Sequence, residues 1–85
     1  MANKVIMFTA TWCQTCQPVK QTILKMKGFH PDVQFDILDA DESMDTSRYG
    51  VRGLPTLVFE KDGEEVGRLT GQACQRRIEE YLKRF

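Results

Sequence analysis

The residues with the clearest capacity for chemistry are Cys13 and Cys16, separated by Gln14-Thr15 and preceded by Trp12. Two thiols at this spacing can close into a disulfide and reopen, and the same spacing also supplies half of a zinc site. A closed zinc site needs four ligands. The remaining cysteine and histidine are Cys74 and His30, and there is no second Cys-x-x-Cys. The residues therefore favour a redox couple, with no metal and no bound cofactor expected. The attacking species in disulfide exchange is the thiolate, a minor form of an ordinary cysteine near pH 7. Because an apolar run, Val5-Ile6-Met7-Phe8, precedes the pair and a helical pattern follows it, Cys13 is expected at a helix N-terminus. Backbone N–H groups and the helix dipole favour negative charge there. Cys13 is expected to be exposed and to act as the nucleophile. Cys16, three positions on and on the same helix face, is expected to be more buried and to resolve the mixed disulfide. Thr15 is placed to donate a hydrogen bond to the Cys13 sulfur. A bond selective for the thiolate and worth about 1.4 kcal/mol would raise a two-electron potential by roughly 30 mV, because it stabilises the reduced form.

The elements that must position this pair are legible as alternating patterns. Val5 to Thr9 is short, continuous and apolar, as a buried strand is. Residues 14–27 read as a helix with Val19, Ile23, Leu24 and Met26 on its apolar side and Gly28 as its stop. Pro18 is acceptable only in the first turn, which keeps the helix start close to the cysteines. Val33 to Leu38 is a second strand. An acidic stretch (Asp39, Asp41, Glu42, Asp45) leads into a short helix ending near Tyr49-Gly50. Thr56 to Glu60 and Glu65 to Thr70 are strands joined by the turn Lys61-Asp62-Gly63-Glu64. Residues 73–84 close the chain as a helix. The order β-α-β-α-β-β-α predicts parallel pairing with right-handed crossovers, then an antiparallel hairpin. The fold class is α/β, a four-stranded mixed sheet with helices on both faces.

A chain of 85 residues is expected to form one domain with a modest core. Its 12 basic and 12 acidic residues cancel, which argues against a nucleic-acid partner because phosphate contacts need a basic surplus. Arg76, Arg77, Lys83 and Arg84 are interrupted by Glu79 and Glu80 and read as a solvated helix face. No segment approaches membrane-spanning length, so no membrane partner is expected. The apolar run after Lys4 is too short for a secretory signal, and a cytoplasmic location is expected. There a disulfide is usually catalytic or transient. Cys74 is expected to be a buried small hydrophobe, and His30 before Pro31 a turn residue.

Ala10-Thr11-Trp12-Cys13-Gln14-Thr15-Cys16, Tyr49-Gly50-Val51-Arg52-Gly53-Leu54-Pro55-Thr56-Leu57, the Lys61-Asp62-Gly63 turn and Gly71 before the last helix together resemble the thioredoxin family over nearly the whole chain. The resemblance implies a single thioredoxin-like domain over residues 1–85, short of the family's usual first strand and helix and so the size of a glutaredoxin. It also implies that Pro55 is cis and faces the dithiol, that the backbone of Leu54 pairs with an extended substrate, that Trp12 forms an apolar wall beside Cys13, and that Gly71 borders the substrate site. The implied activity is reduction of protein disulfides by a monomer, with a thioredoxin-reductase-like or glutathione-type electron donor. The sequence departs from the family at the middle dipeptide, Gln14-Thr15. It departs again at the buried acid six residues before the first cysteine, which aligns with Met7, and Met7 cannot relay a proton. Asp36, within an otherwise apolar strand, is the candidate replacement, the alternative being a solvent-facing carboxylate. Two rival functions stand beside this one. A glutathione-dependent reductase shares the size, but its glycine pair followed by an acid is replaced here by Gly71-Gln72-Ala73. A non-enzymatic module would use the Leu54-Pro55 groove for docking alone.

Overall fold

The computed structural model describes residues 3–71 and 73–85; Gln72, within the Gly71-Gln72-Ala73 comparison, lies outside them. Strand β1 (Asn3–Thr9) is followed by α1 (Cys16–Phe29), β2 (Val33–Asp39), α2 (Asp45–Arg48), β3 (Thr56–Lys61), β4 (Glu64–Thr70) and α3 (Gln75–Leu82). The sheet order is β2-β1-β3-β4. β1 runs parallel to β2, with Met7 opposite Ile37 and Thr9 opposite Asp39. The β1–β3 and β3–β4 pairs are antiparallel. The β3–β4 connection is a two-residue turn in which Asp62 and Gly63 both have positive φ, 54° and 87°. That is the conformation whose twist matches a hairpin. The register slips between Phe59 and Glu60, so Val66 is extra on β4, a bulge.

Side chains alternate across this sheet, and the two faces carry different cores. On one face Val5, Met7, Phe35, Leu57 and Phe59 pack against Val19, Ile23 and Met26 of α1 and Ile78 of α3. Cys13 and Cys16 belong to this cluster. Gly67, opposite Phe59 in the ladder, lies under the Tyr81 ring; a Cβ there would come within 2.7 Å of it. Tyr81 in turn stacks on Phe59 with ring centroids 4.9 Å apart. On the other face Ile6, Phe8 and Val58 form a smaller cluster covered by Leu38, Tyr49, Val51 and Leu54.

Several boundaries differ from the sequence expectation. α1 begins at Cys16, not at residue 14, because the chain first makes tight turns: the Cys13 N–H donates to the Ala10 carbonyl and the Cys16 N–H to the Cys13 carbonyl. Pro18 is consequently the third helical residue, inside the first turn, where no amide donor is needed. Gly28 does not stop the helix, which runs on to Phe29. The stop is His30, held out of the helical region (φ −128°, ψ 71°) ahead of Pro31. Leu24 is 49% exposed, since the buried stripe is Cys16, Val19, Ile23 and Met26 and the residue after Ile23 lies a quarter-turn around. α3 covers Gln75–Leu82, not residues 73–84. Cys74 is exposed, not buried: it is the extended residue preceding α3, and its neighbour Ala73 takes the core position.

Candidate active site

Cys13 and Cys16 are joined as a disulfide, with their Cα atoms 5.4 Å apart. It lies where the end of β1 turns into α1. β1 is paired on both sides, by β2 and β3, and α1 packs on the sheet through Val19, Ile23 and Met26. The turn between them, residues 10–15, presents the two sulfurs. Cys13 is not exposed as expected. It is 6% accessible and Cys16 is 0%, because both side chains pack into the core in the closed disulfide. The order of accessibility is nevertheless the one the chemistry needs, with Cys13 the outer sulfur. The Thr15 hydroxyl lies 3.4 Å from the Cys13 Sγ. A disulfide sulfur carries no proton, so Thr15 is the donor. Cys13 also stands three residues ahead of the first helical residue, and it is its bond to Cys16 that holds its sulfur at the helix start.

The peptide between Leu54 and Pro55 is cis. Pro55 is buried, and its carbonyl accepts a 2.8 Å hydrogen bond from the Gly71 N–H. Gly71 has φ +88°, a conformation that other residues rarely adopt. The antiparallel β3–β4 pairing, which ends at Thr56 opposite Thr70, thus sets Gly71 beside Pro55. Leu54 packs against the cluster that holds both cysteines. Trp12 is 67% exposed, and its indole Nε1 donates a 2.8 Å hydrogen bond to the Asp41 carboxylate. Trp12, Asp41, Arg52, Gly53 and Leu54 line one cleft of about 270 Å³ beside the dithiol turn. Asp41, one of an acidic stretch in the sequence, is thus also a residue of this site. The missing signal was tertiary: the ends of β1 and β2 are adjacent, so the residues just after each strand meet.

Asp36 is not beside the dithiol. Phe35 and Ile37 face the cluster of the cysteines, and a strand side chain between them points the other way. Asp36 there forms an ion pair with Lys4 at 3.7 Å and accepts hydrogen bonds from Gln34. On the dithiol face, the register pair Met7–Ile37 presents two apolar side chains. Away from the dithiol, the Tyr49 hydroxyl donates to the buried Glu60 carboxylate. That bond, burial and the Glu60 charge push the phenol up to about 12. Arg68 ties β4 to this corner, donating to the Tyr49 carbonyl at 2.8 Å and to both Glu65 oxygens. Among the described residues no cluster of three or more His, Cys, Asp or Glu side chains suits a metal ion, and no helix is long and apolar enough to cross a membrane.

The thioredoxin family model matches residues 2–84. Thioredoxin of Ophiophagus hannah is 34% identical over 82 residues, covering 95% of this chain and 77% of that protein. Mitochondrial thioredoxin-3 of Saccharomyces cerevisiae is 40% identical over 68 residues, covering 79% of this chain and 54% of that protein. The chain thus spans about half the length of some relatives and three quarters of others. The crystal structure of oxidised mitochondrial thioredoxin 3 from S. cerevisiae superposes with a TM-score of 0.88 at 36% identity, over 98% of this chain and 78% of that one. Fasciola hepatica thioredoxin gives 0.89 at 32% identity, over 98% and 80%. By sequence and by fold alike the chain belongs to the thioredoxin family, and through its Cys13–Cys16 pair it is a dithiol-disulfide oxidoreductase of the thioredoxin type.

Proposed function

We propose that the protein reduces disulfides in extended segments of other proteins, in the reducing cytoplasm, and is itself re-reduced by a thioredoxin-reductase-type or glutathione-type donor. The observation that carries this reading is the common cluster of Leu54 and the two cysteines, next to a cis Leu54–Pro55 peptide and a shallow cleft floored by Trp12. A shallow, open site suits a protein segment laid across it better than an enclosed small molecule.

In this reading the Leu54 backbone pairs with the substrate chain while Trp12, held by Asp41, supports its flank. The Cys13 thiolate attacks one substrate sulfur, forming the Cys13–substrate disulfide and releasing the other sulfur as a thiolate, which takes up a proton. Cys16 then loses its proton and attacks the Cys13 Sγ. The Cys13–Cys16 disulfide forms and the second substrate thiol leaves. Two electrons pass from the dithiol to the substrate, and the closed disulfide of the structure is the product state. The Thr15 hydroxyl stabilises the Cys13 thiolate before attack.

The test is reduction of insulin disulfides with a dithiol reagent or a thioredoxin reductase as electron source. Turnover with either is expected. Absence of turnover with both contradicts the reading, and turnover only with glutathione and a glutathione mixed disulfide moves the activity to the glutaredoxin type.

A further inference from the structure

An extended substrate held at Leu54–Pro55 must continue past the dithiol. Besides the Trp12 cleft, a groove of about 430 Å³ lies between the starts of α1 and α3. Pro18, Val19 and Thr22 form one wall, and Ala73, Cys74 and Arg77 the other. Both walls begin close to residues of the site. Pro18 is two residues after Cys16, and Ala73 is two residues after Gly71, whose N–H donates to the Pro55 carbonyl. Two residues of chain span at most about 7 Å. Val19 and Ala73 also belong to the buried cluster of Cys13 and Cys16, against which Leu54 packs. An extended segment advances about 3.3 Å per residue, so a side chain roughly two to four positions from the attacked cysteine reaches the groove.

The chemistry of the lining is one-sided. Pro18, Val19 and Ala73 are apolar, and Pro18 has no N–H to offer. The Thr22 hydroxyl is spent on the Pro18 carbonyl, to which it donates at 3.0 Å. Arg77 is the one charged side chain of the lining among the described residues, and no carboxylate lines the groove beside it. In sequence Arg76 and Arg77 look alike, as parts of one solvated helix face, and the structure separates them. Arg76 is paired with Glu80 at 3.7 Å. Arg77 is exposed and has no ion pair or side-chain hydrogen bond among the described residues. A guanidinium is a planar fork of donors that matches a carboxylate in two parallel hydrogen bonds.

We propose that the groove between α1 and α3 receives the substrate segment on one flank of the attacked cysteine, and that Arg77 selects segments carrying Asp or Glu there. The proposal rests on the protein-disulfide-reductase reading and adds to it a preference among substrates. Arg77 meets the substrate away from the reacting sulfurs, so it takes no part in bond making or proton transfer. Its contribution is to binding, and it appears in the second-order rate constant for attack. Because Arg77 is exposed, the preference is modest and depends on salt.

The experiment uses reduced protein carrying Cys74→Ser, so that the exposed third thiol is silent. Three peptides are compared, with Glu three residues before their single cysteine, Glu three residues after it, or Gln at both places. Each cysteine is supplied as its mixed disulfide with 5-thio-2-nitrobenzoate. Attack of the Cys13 thiolate on the peptide sulfur forms the Cys13–peptide disulfide and releases a coloured thiolate, and Cys16 then frees the peptide thiol. At low salt one of the two Glu peptides, the one whose Glu falls on the groove, is expected to react about two- to fivefold faster than the Gln peptide. The advantage shrinks towards unity at high salt. Arg77→Gln abolishes it, Arg77→Lys keeps part of it, and Arg77→Glu makes that peptide the slowest of the three. Arg76→Gln leaves the advantage in place. Two Glu peptides that are no faster than the Gln peptide, an advantage that survives Arg77→Gln, or one that falls equally in Arg76→Gln overturns the proposal. Without any coloured release from the three peptides the oxidoreductase reading itself fails. A Gln peptide that reacts with no Glu advantage leaves that reading standing and removes only the role of Arg77 and its groove.

Discussion

The two faces of the sheet divide the work. The face carrying the cysteines holds nearly all the apolar packing, from Val5 and Phe59 to Ile23 and Ile78, with Thr9, Thr15 and Asp39 among the polar groups at its rim. The opposite face has a small apolar cluster and carries the polar ties: Tyr49 to Glu60, Arg68 to Glu65 and the Tyr49 carbonyl, Lys4 to Asp36. Chemistry thus occurs at the edge of the more apolar half. The other half, with its polar ties, anchors the segment that runs from α2 to the cis Leu54–Pro55 peptide. A charged residue in a strand informs on function only once its face is known.

The largest effect that separates the halves is chemical. Cys13→Ser on the dithiol face removes disulfide reduction, a loss of at least about 10³-fold in insulin turnover, because the nucleophile is gone. No substitution of the polar ties on the other face approaches that.

Next comes stability. Phe59→Ala removes a buried ring from the dithiol-face core and is expected to cost about 3–5 kcal/mol in urea unfolding, with the remaining folded protein still active. Tyr49→Phe on the other face leaves the Glu60 carboxylate without its hydroxyl donor and costs about 1 kcal/mol. It also has a signature in pH. Since the Tyr49 phenol is raised to about 12, its contribution is fully present below the ordinary tyrosine range near pH 10 and is lost as pH rises through about 12. Melting temperatures of the parent should fall more steeply than those of Tyr49→Phe across that alkaline window.

The smallest effect is the most pointed. Asp36→Asn loosens a half-exposed pair with Lys4, so it should change stability by less than about 0.5 kcal/mol and leave both steps of disulfide exchange unchanged. A slowed resolution step in Asp36→Asn would mean that the division between the faces is wrong.

Much of this was legible in the sequence. The strands and the Asp62-Gly63 turn announce themselves through local patterns, since a two-residue hairpin with consecutive positive φ values suits these residue types. The redox pair is readable from its spacing and the partner loop at Leu54-Pro55 from the resemblance to the thioredoxin family, and the structure packs Leu54 against the cluster of the two cysteines. What failed depended on tertiary geometry. Asp36 stood between a relay beside the dithiol and a solvent-facing carboxylate because a short apolar strand does not reveal which alternate positions face the helices, and a shift of one residue exchanges the faces; the structure gives the solvent-facing one. Leu24 was assigned to the core by composition, although it lies off the stripe that Cys16, Val19, Ile23 and Met26 define. The contact between Trp12 and Asp41 spans 29 positions and is created by the adjacency of two strand ends, which no local pattern encodes.

The central claim is that Cys13 is the outer, attacking sulfur and Cys16 the inner, resolving one. Mass mapping of the adduct formed when Cys16→Ser protein meets a disulfide-bearing protein substrate tests it most directly. The account predicts a stable mixed disulfide on Cys13, while Cys13→Ser protein gives no adduct at the dithiol site. An adduct carried by Cys16 in the Cys13→Ser protein, formed as fast as the Cys13 adduct, would contradict it.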